Sequence, residues 1–95
     1  MSKTLILEAS GVVYVIARQR EIKVTVPDHA TWRDVIAALA QAAPALVGEV
    51  IAQDHRAFLG DYMLNVEGRR TIQDLDTPIG EVAQNARLML LSDLC

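Results

Sequence analysis

Polar and apolar residues alternate without interruption from position 22 to position 26. Apolar side chains fall on one side of the extended chain and polar side chains on the other: Ile22, Val24 and Val26 against Lys23 and Thr25. A period of two predicts a strand with one face on a core and the other toward solvent. We expect this strand to end at Pro27, because proline has no N–H to donate to a sheet.

Two further apolar runs precede this strand. Leu5-Ile6-Leu7 predicts a first strand, since the Ser10-Gly11 pair after it is a turn signal. The segment from Val12 to Ile16 is rich in β-branched and aromatic residues, which favour extended structure. We expect it either to continue the first strand past a bulge or to form one arm of a hairpin.

Helical spacing begins at Thr31, a suitable N-cap, and Asp34 stands where the acid of a capping box would stand. Apolar residues then recur on one helical face: Trp32, Val35, Ile36, Leu39 and Ala43. Because the residue before a proline avoids the α region, we expect this helix to end near Ala43. Pro44 would begin a second short helix. The apolar stripe of that second helix would be Leu46, Val47, Val50 and Ile51.

The second half of the chain predicts a loop and then strands. The loop 53–60 is polar, and Phe58 would hold it against the core. A strand over 62–66 would reverse at Glu67-Gly68, since glycine tolerates positive φ, and return over 69–72. One face of the strand would carry Tyr62, Leu64 and Val66.

The last strand is predicted over 86–91, after a turn-rich connection from 73 to 81 in which Pro78-Ile79 tucks one apolar side chain inward. We expect Leu88 and Leu90 to face the core and Met89 and Leu91 to face outward. A final strand reached by a long path can lie parallel beside the first. The element order therefore predicts a single α+β domain over 1–95, a mixed four- to five-stranded sheet packed on one main helix.

The sequence resembles the MoaD/ThiS branch of the ubiquitin-like β-grasp superfamily, the small sulfur carriers of molybdopterin and thiamine synthesis. The likeness lies in three stretches between about positions 20 and 91: 30–39 with Ala43-Pro44-Ala45-Leu46, Leu64-Asn65-Val66-Glu67-Gly68-Arg69, and Leu75-Asp76-Thr77-Pro78-Ile79. The resemblance implies a β-grasp fold and a protein without a catalytic site of its own. It also implies docking on a protein partner, an ATP-dependent adenylating enzyme.

The C-terminal tail differs from that family's pattern. Family members end in Gly-Gly, whose terminal carboxylate is adenylated and converted to a thiocarboxylate or an amide bond. Here the tail 92–95 is Ser92, Asp93, Leu94 and Cys95, and none of the five glycines adjoins another. The resemblance, together with the apolar Leu91 and Leu94, predicts that a partner docks the tail; the alternative is that Cys95 is an ordinary terminal residue without a role.

Composition narrows the range of partners. The net charge is -3, and nucleic-acid binding needs a surplus of Lys and Arg, so we expect a protein partner. No apolar stretch approaches the 18 residues of a membrane span, and a single cysteine, Cys95, fits a reducing compartment. We therefore expect a cytoplasmic protein with neither nucleic-acid nor membrane partners.

Few residues are of the types that catalyse reactions or bind metals. We expect the chain not to be an enzyme and to bind no metal or cofactor. His29 and His55 lack ligand partners at the spacing of a zinc site, and Asp74 and Asp76 lie in a turn where aspartate is common. Trp32 either anchors a partner or closes the core. The outward residues of the strands predict a partner-docking sheet face, with edge packing or a homodimer as its alternative: Met63, Met89 and Leu91.

Two functions fit this sequence. The first is a carrier or modifier that docks on an activating enzyme through its sheet face and tail. The alternative is an interaction module, a regulatory or structural subunit that kept the fold and lost the Gly-Gly chemistry.

Overall fold

A computed structural model describes residues 1–91, and the tail 92–95 lies outside the described residues. The chain runs through five strands, two α-helices and one short 3₁₀ helix. In chain order these are β1 (Ser2–Glu8), α1 (Gly11–Ala17), β2 (Glu21–Pro27), α2 (Trp32–Ala42), the 3₁₀ helix Pro44–Leu46, β3 (Met63–Val66), β4 (Arg70–Thr71) and β5 (Ala86–Leu91).

The strands form one mixed sheet in the order β2-β1-β5-β3-β4. β1 pairs antiparallel with β2 and parallel with β5, while β3 pairs antiparallel with both β5 and β4. The first and last strands are therefore neighbours at the centre of the sheet, as the sequence predicted. The α+β class and the five-stranded sheet are confirmed.

The main helix begins and ends where its sequence indicates. The Thr31 side chain accepts from the Asp34 N–H at 3.4 Å, and the Thr31 N–H donates to the Asp34 carboxylate at 3.0 Å, which is a capping box. Helix α2 then buries its apolar face against β2 and the rest of the core. It ends at Ala42, just before Pro44.

The predicted second helix is only one turn long. Pro44–Leu46 is 3₁₀ helix, and the chain then turns at Gly48, whose φ of +89° is a left-handed value that glycine adopts easily. Leu46, Val50 and Ile51 are nevertheless fully buried. Their positions are fixed by a turn in which several backbone N–H groups, including those of Val50 and Ile51, donate to Leu46 O, and not by a helical stripe.

The extended structure predicted for Val12 to Ile16 is wrong, because these residues lie in helix α1. β1 already pairs with β2 from Ser2↔Pro27 to Glu8↔Glu21 and with β5 on its other side, so this segment cannot extend or pair with β1. Val13 is buried, whereas Val12 and Val15 are 59% and 69% exposed. Docking of one helical face against the 3₁₀ segment outweighs the modest β-propensity of valine.

The β3–β4 hairpin and the following connection match the sequence more closely. Glu67 and Gly68 both have positive φ, and the Arg69 N–H donates to Val66 O at 2.9 Å, which is the geometry of a tight hairpin turn. β4 is shorter than predicted, with only Arg70–Thr71 in the ladder. In the connection that follows, Ile79 is 1% exposed and contributes to the core.

Candidate functional site

The sheet covers the core with one face and turns its other face, here called the outer face, away from α2. Strand alternation and the pairing register place the outward side chains in rows that cross the sheet. One row carries charged groups on both sides of a covered isoleucine, the next mixes charged, apolar and amide groups, and the last is apolar. The first row is Lys23, Ile6 and Arg87, with Glu67 of the hairpin turn joined to Arg87 by a backbone hydrogen bond. The next rows are Glu21, Glu8, Met89 and Asn65, and then Leu91 and Met63.

The apolar end of the outer face brings the three predicted docking residues together. Met63 is the direct cross-strand partner of Leu91, and Met89 precedes Leu91 by two positions on the same face of β5. Leu91 is 44% exposed, and both methionines are half-buried. Because methionine side chains are flexible and polarizable, this cluster can adapt to an apolar surface laid against it. We call Met63, Met89 and Leu91 the apolar patch.

A buried amide lies beside the apolar patch. Asn65 is only 7% exposed, although it belongs to the outer face, and it is the direct partner of Met89. Its Nδ2 donates to Thr71 Oγ1 at 3.3 Å, while its buried Oδ1 accepts no hydrogen bond from residues 1–91. A buried acceptor without a donor destabilises the folded state, so Asn65 lowers the stability of the chain when no partner is bound.

Charged side chains surround Arg87 next to the patch. Its Nη1 lies 2.7 Å from the Glu21 carboxylate and 3.7 Å from that of Glu8. The hydrogen bond from Arg87 lowers the pKa of Glu21, and the same contact raises the pKa of Arg87, with Glu8 and Glu67 adding to that rise. Lys23 also acts on Glu21, so this part of the outer face combines three carboxylates with two basic groups and has an excess of one negative charge.

Helix α1 lies beside the same end of the sheet and forms one side of a groove there. A surface groove of about 530 Å³ runs between the start of the helix and the strand ends, and its lining includes Tyr14, Arg20 and Met89. The Arg20 guanidinium lies 5.8 Å from the centre of the Tyr14 ring, a cation–π contact. Met89 belongs to the apolar patch and also lines the groove, so the two form a continuous surface.

The other candidate residues from the sequence analysis take part in the core, in a turn or in an ion pair. Trp32 is 1% exposed and belongs to the core, so it does not anchor a partner. The Asp74 carboxylate accepts from the Asp76 N–H at 2.9 Å, as expected for a turn, and Asp76 pairs with Arg33 at 2.6 Å. The predicted tail residues Ser92, Asp93, Leu94 and Cys95 lie outside the described residues.

Within residues 1–91, no three His, Cys, Asp or Glu side chains come close enough to hold a metal ion. None of the helices in this part of the chain combines the length and the apolar character needed to cross a membrane.

Sequence reasoning missed two residues of the outer face. Asn65 is a polar residue between apolar neighbours in a short strand, and that pattern was a detectable signal of an unusual site. Ile6 is 7% exposed on the outer face between Lys23 and Arg87, whose aliphatic stems can cover it. No pattern indicated this second case, because Leu5-Ile6-Leu7 is continuously apolar.

Comparison with solved structures extends over almost the whole chain. The crystal structure of SAMP1 from Haloferax volcanii has a TM-score of 0.75 at 22% identity, covering 94% of this chain and 93% of that one. A crystal structure of H. volcanii small archaeal modifier protein 1 has a TM-score of 0.73 at 23% identity, covering 93% and 94%. The solution structure of the H. volcanii HVO 2177 protein has a TM-score of 0.67 at 19% identity, covering 99% and 86%.

These likenesses confirm the ubiquitin-like β-grasp fold expected from the sequence. No protein-family model matches the sequence, and no curated protein matches it significantly.

Proposed function

We propose that this chain is a ubiquitin-like carrier or modifier protein that docks on a protein partner through the outer face of its sheet. The observation that carries the proposal is the apolar patch of Met63, Met89 and Leu91 on a face whose other outward residues, apart from the covered Ile6, are charged or polar. Exposed apolar clusters with a polar surround are typical of protein interaction sites. The similarity to structures described as small archaeal modifier proteins supports the same function.

The position of the patch relates docking to the tail. Leu91 ends β5 and directly precedes the tail 92–95 in the sequence. A partner that covers Leu91 and Met63 would therefore lie within a few residues of the tail. In a carrier, the partner is an ATP-dependent adenylating enzyme that supplies all the chemistry, and this chain supplies a carboxylate.

The alternative function is an interaction module that binds through the same face without being activated. One observation favours it: none of the five glycines in the 95 residues adjoins another, so the Gly-Gly pair of the carrier family is not present in this sequence. Both functions need the apolar patch, and they differ only in what happens to the tail.

The docking step is tested with one pair of substitutions. Leu91→Glu places a charge in the apolar patch, and Val15→Glu places the same charge on an exposed valine of α1. Binding to adenylating enzymes of the same genome, assayed one by one with ATP, should weaken at least tenfold in Leu91→Glu. It should be unchanged in Val15→Glu. Equal binding by both variants would refute docking through this face.

The carrier step is tested by intact mass after incubation with ATP, the adenylating enzyme and a sulfur donor. A gain of about 16 Da on replacing oxygen by sulfur, or a covalent conjugate, identifies a carrier or modifier. Oxidation adds about the same mass to methionine or cysteine, so a parallel sample with reductant is required. Binding without any change of mass identifies the interaction module.

A further inference from the structure

We propose that the outer face selects a partner protein that presents an arginine or lysine side chain beside an apolar one, seated at Met89 between Glu8 and Glu67. This inference rests on the proposed function, since it names the chemistry of the partner that docks on the same face. Its basis is the combination of a negative corner, a buried acceptor without a donor and a flexible apolar side chain between them.

The charge distribution favours a cation. Two basic groups, Arg87 and Lys23, lie near the three carboxylates of Glu8, Glu21 and Glu67, and both act on Glu21, with Arg87 in contact at 2.7 Å. The distance from Arg87 to Glu8 is 3.7 Å, longer than a hydrogen bond, so that carboxylate keeps most of its capacity to accept one. Glu8 is the direct partner of Met89 in β1. On the other side, Glu67 lies in the hairpin turn two residues after Asn65, and its N–H donates to Arg87 O.

The buried amide requires a hydrogen-bond donor. Asn65 is directly opposite Met89, and within residues 1–91 nothing donates to its Oδ1. A partner carboxylate would meet this acceptor and the glutamates with repulsion, and a purely apolar side chain would leave the acceptor unpaired. An ammonium or guanidinium group carries several N–H donors and a positive charge, so it satisfies both requirements.

The flexible side chain of Met89 gives a partner side chain access to Asn65. Its Cε lies 3.9 Å from the position that a Cβ on Gly68 would take, so the thioether extends along the β3 side of the sheet toward the hairpin turn. A flexible, unbranched side chain of this kind can move aside at little cost and then pack against the aliphatic stem of an incoming arginine or lysine. On its other side, Met89 borders the groove beneath Tyr14, which leaves room for the rest of the partner segment.

The probe for this inference is a random dodecapeptide display library, selected against the full chain. We expect the enriched peptides to carry arginine or lysine next to an apolar residue. A synthetic peptide of that type should shift the NMR signals of the Asn65 side-chain amide and the Met89 methyl group. Its Kd should weaken threefold to tenfold in Glu67→Gln and in Asn65→Leu, and it should weaken with rising ionic strength.

The control variant is Glu49→Gln, which removes an exposed glutamate in the turn after the 3₁₀ helix, outside the outer face. It should bind the peptide as the wild type does. Enriched peptides that shift Met63 and Leu91 but lack a basic residue would refute this inference and leave docking through the outer face intact. Peptides that bind only elsewhere, or a library without binders, would contradict both.

Discussion

Replacing Asn65 by leucine should stabilise the protein while it weakens partner binding. The side chains are of similar size, and the site is already 93% removed from solvent, since Asn65 is 7% exposed. The substitution eliminates the buried Oδ1 that accepts no hydrogen bond from residues 1–91. It also eliminates the 3.3 Å hydrogen bond from Nδ2 to Thr71 Oγ1.

The two effects differ in magnitude. Removing a buried acceptor without a donor recovers about 1–3 kcal/mol, and losing the hydrogen bond to Thr71 costs about 0.5–1.5 kcal/mol. Thr71 is half-buried at the sheet edge, so water can replace the lost partner of its hydroxyl. We therefore expect a net gain of about 1 kcal/mol in the free energy of unfolding.

Urea unfolding followed by circular dichroism measures this gain. For a domain of this size the urea dependence is about 1–3 kcal/mol/M, so the midpoint of Asn65→Leu should rise by about 0.5 M. Thr71→Val is the matched control, because it removes the same hydrogen bond and keeps the buried amide. Its midpoint should fall. A midpoint for Asn65→Leu below that of the wild type would show that the amide is satisfied in the folded protein, and the reasoning about Oδ1 would be wrong.

Other substitutions test the helices and the charged loops. Val13→Ala should lower the free energy of unfolding by about 1.5–2 kcal/mol, because buried methyl groups are lost. Val15→Ala should change it by less than about 0.5 kcal/mol, because Val15 is exposed. Equal effects of the two substitutions would contradict helix α1. Thr31→Ala should cost about 1 kcal/mol in urea unfolding by removing the capping box; an unchanged midpoint would show that the cap adds nothing. The hydrogen bond from Arg33 lowers the pKa of Asp76 from its ordinary value of 3.8, so this contact stabilises the fold above that pH and is lost as the pH falls through the lowered pKa. Urea midpoints of Asp76→Asn should therefore fall less steeply than those of the wild type below about pH 4, and parallel slopes would exclude a contribution from the pair.

Local patterns in the sequence were sufficient wherever the physical cause was itself local. The alternation from Ile22 to Val26 gave the correct buried face of β2, because the side-chain period of a strand is two. Thr31 and Asp34 located the start of α2, since a capping box involves only residues within one helical turn. Pro44 likewise located its end. The apolar patch was also predicted, although its role in docking is still a proposal.

Residues 11–17 became a helix only because of the tertiary structure. Their β-branched composition favours a strand in isolation, but both sides of β1 are taken by β2 and β5. In the connection between the paired strands β1 and β2, a helix satisfies its own backbone hydrogen bonds and also buries Val13 against the core. The competition depends on residues distant in sequence, so no local pattern could decide it.

The sequence by itself determined β1, β2, β3 and β5, the main helix, the core faces and the three residues of the apolar patch, because each follows from side-chain periodicity or from a neighbouring turn or cap. Only the tertiary structure placed Asn65 opposite Met89 and three glutamates around Arg87. That arrangement depends on the register between β3 and β5 and on the parallel pairing of β1 with β5. A shift of one residue in either pairing would turn the side chains of that strand to the opposite face, and the outer-face site would not exist.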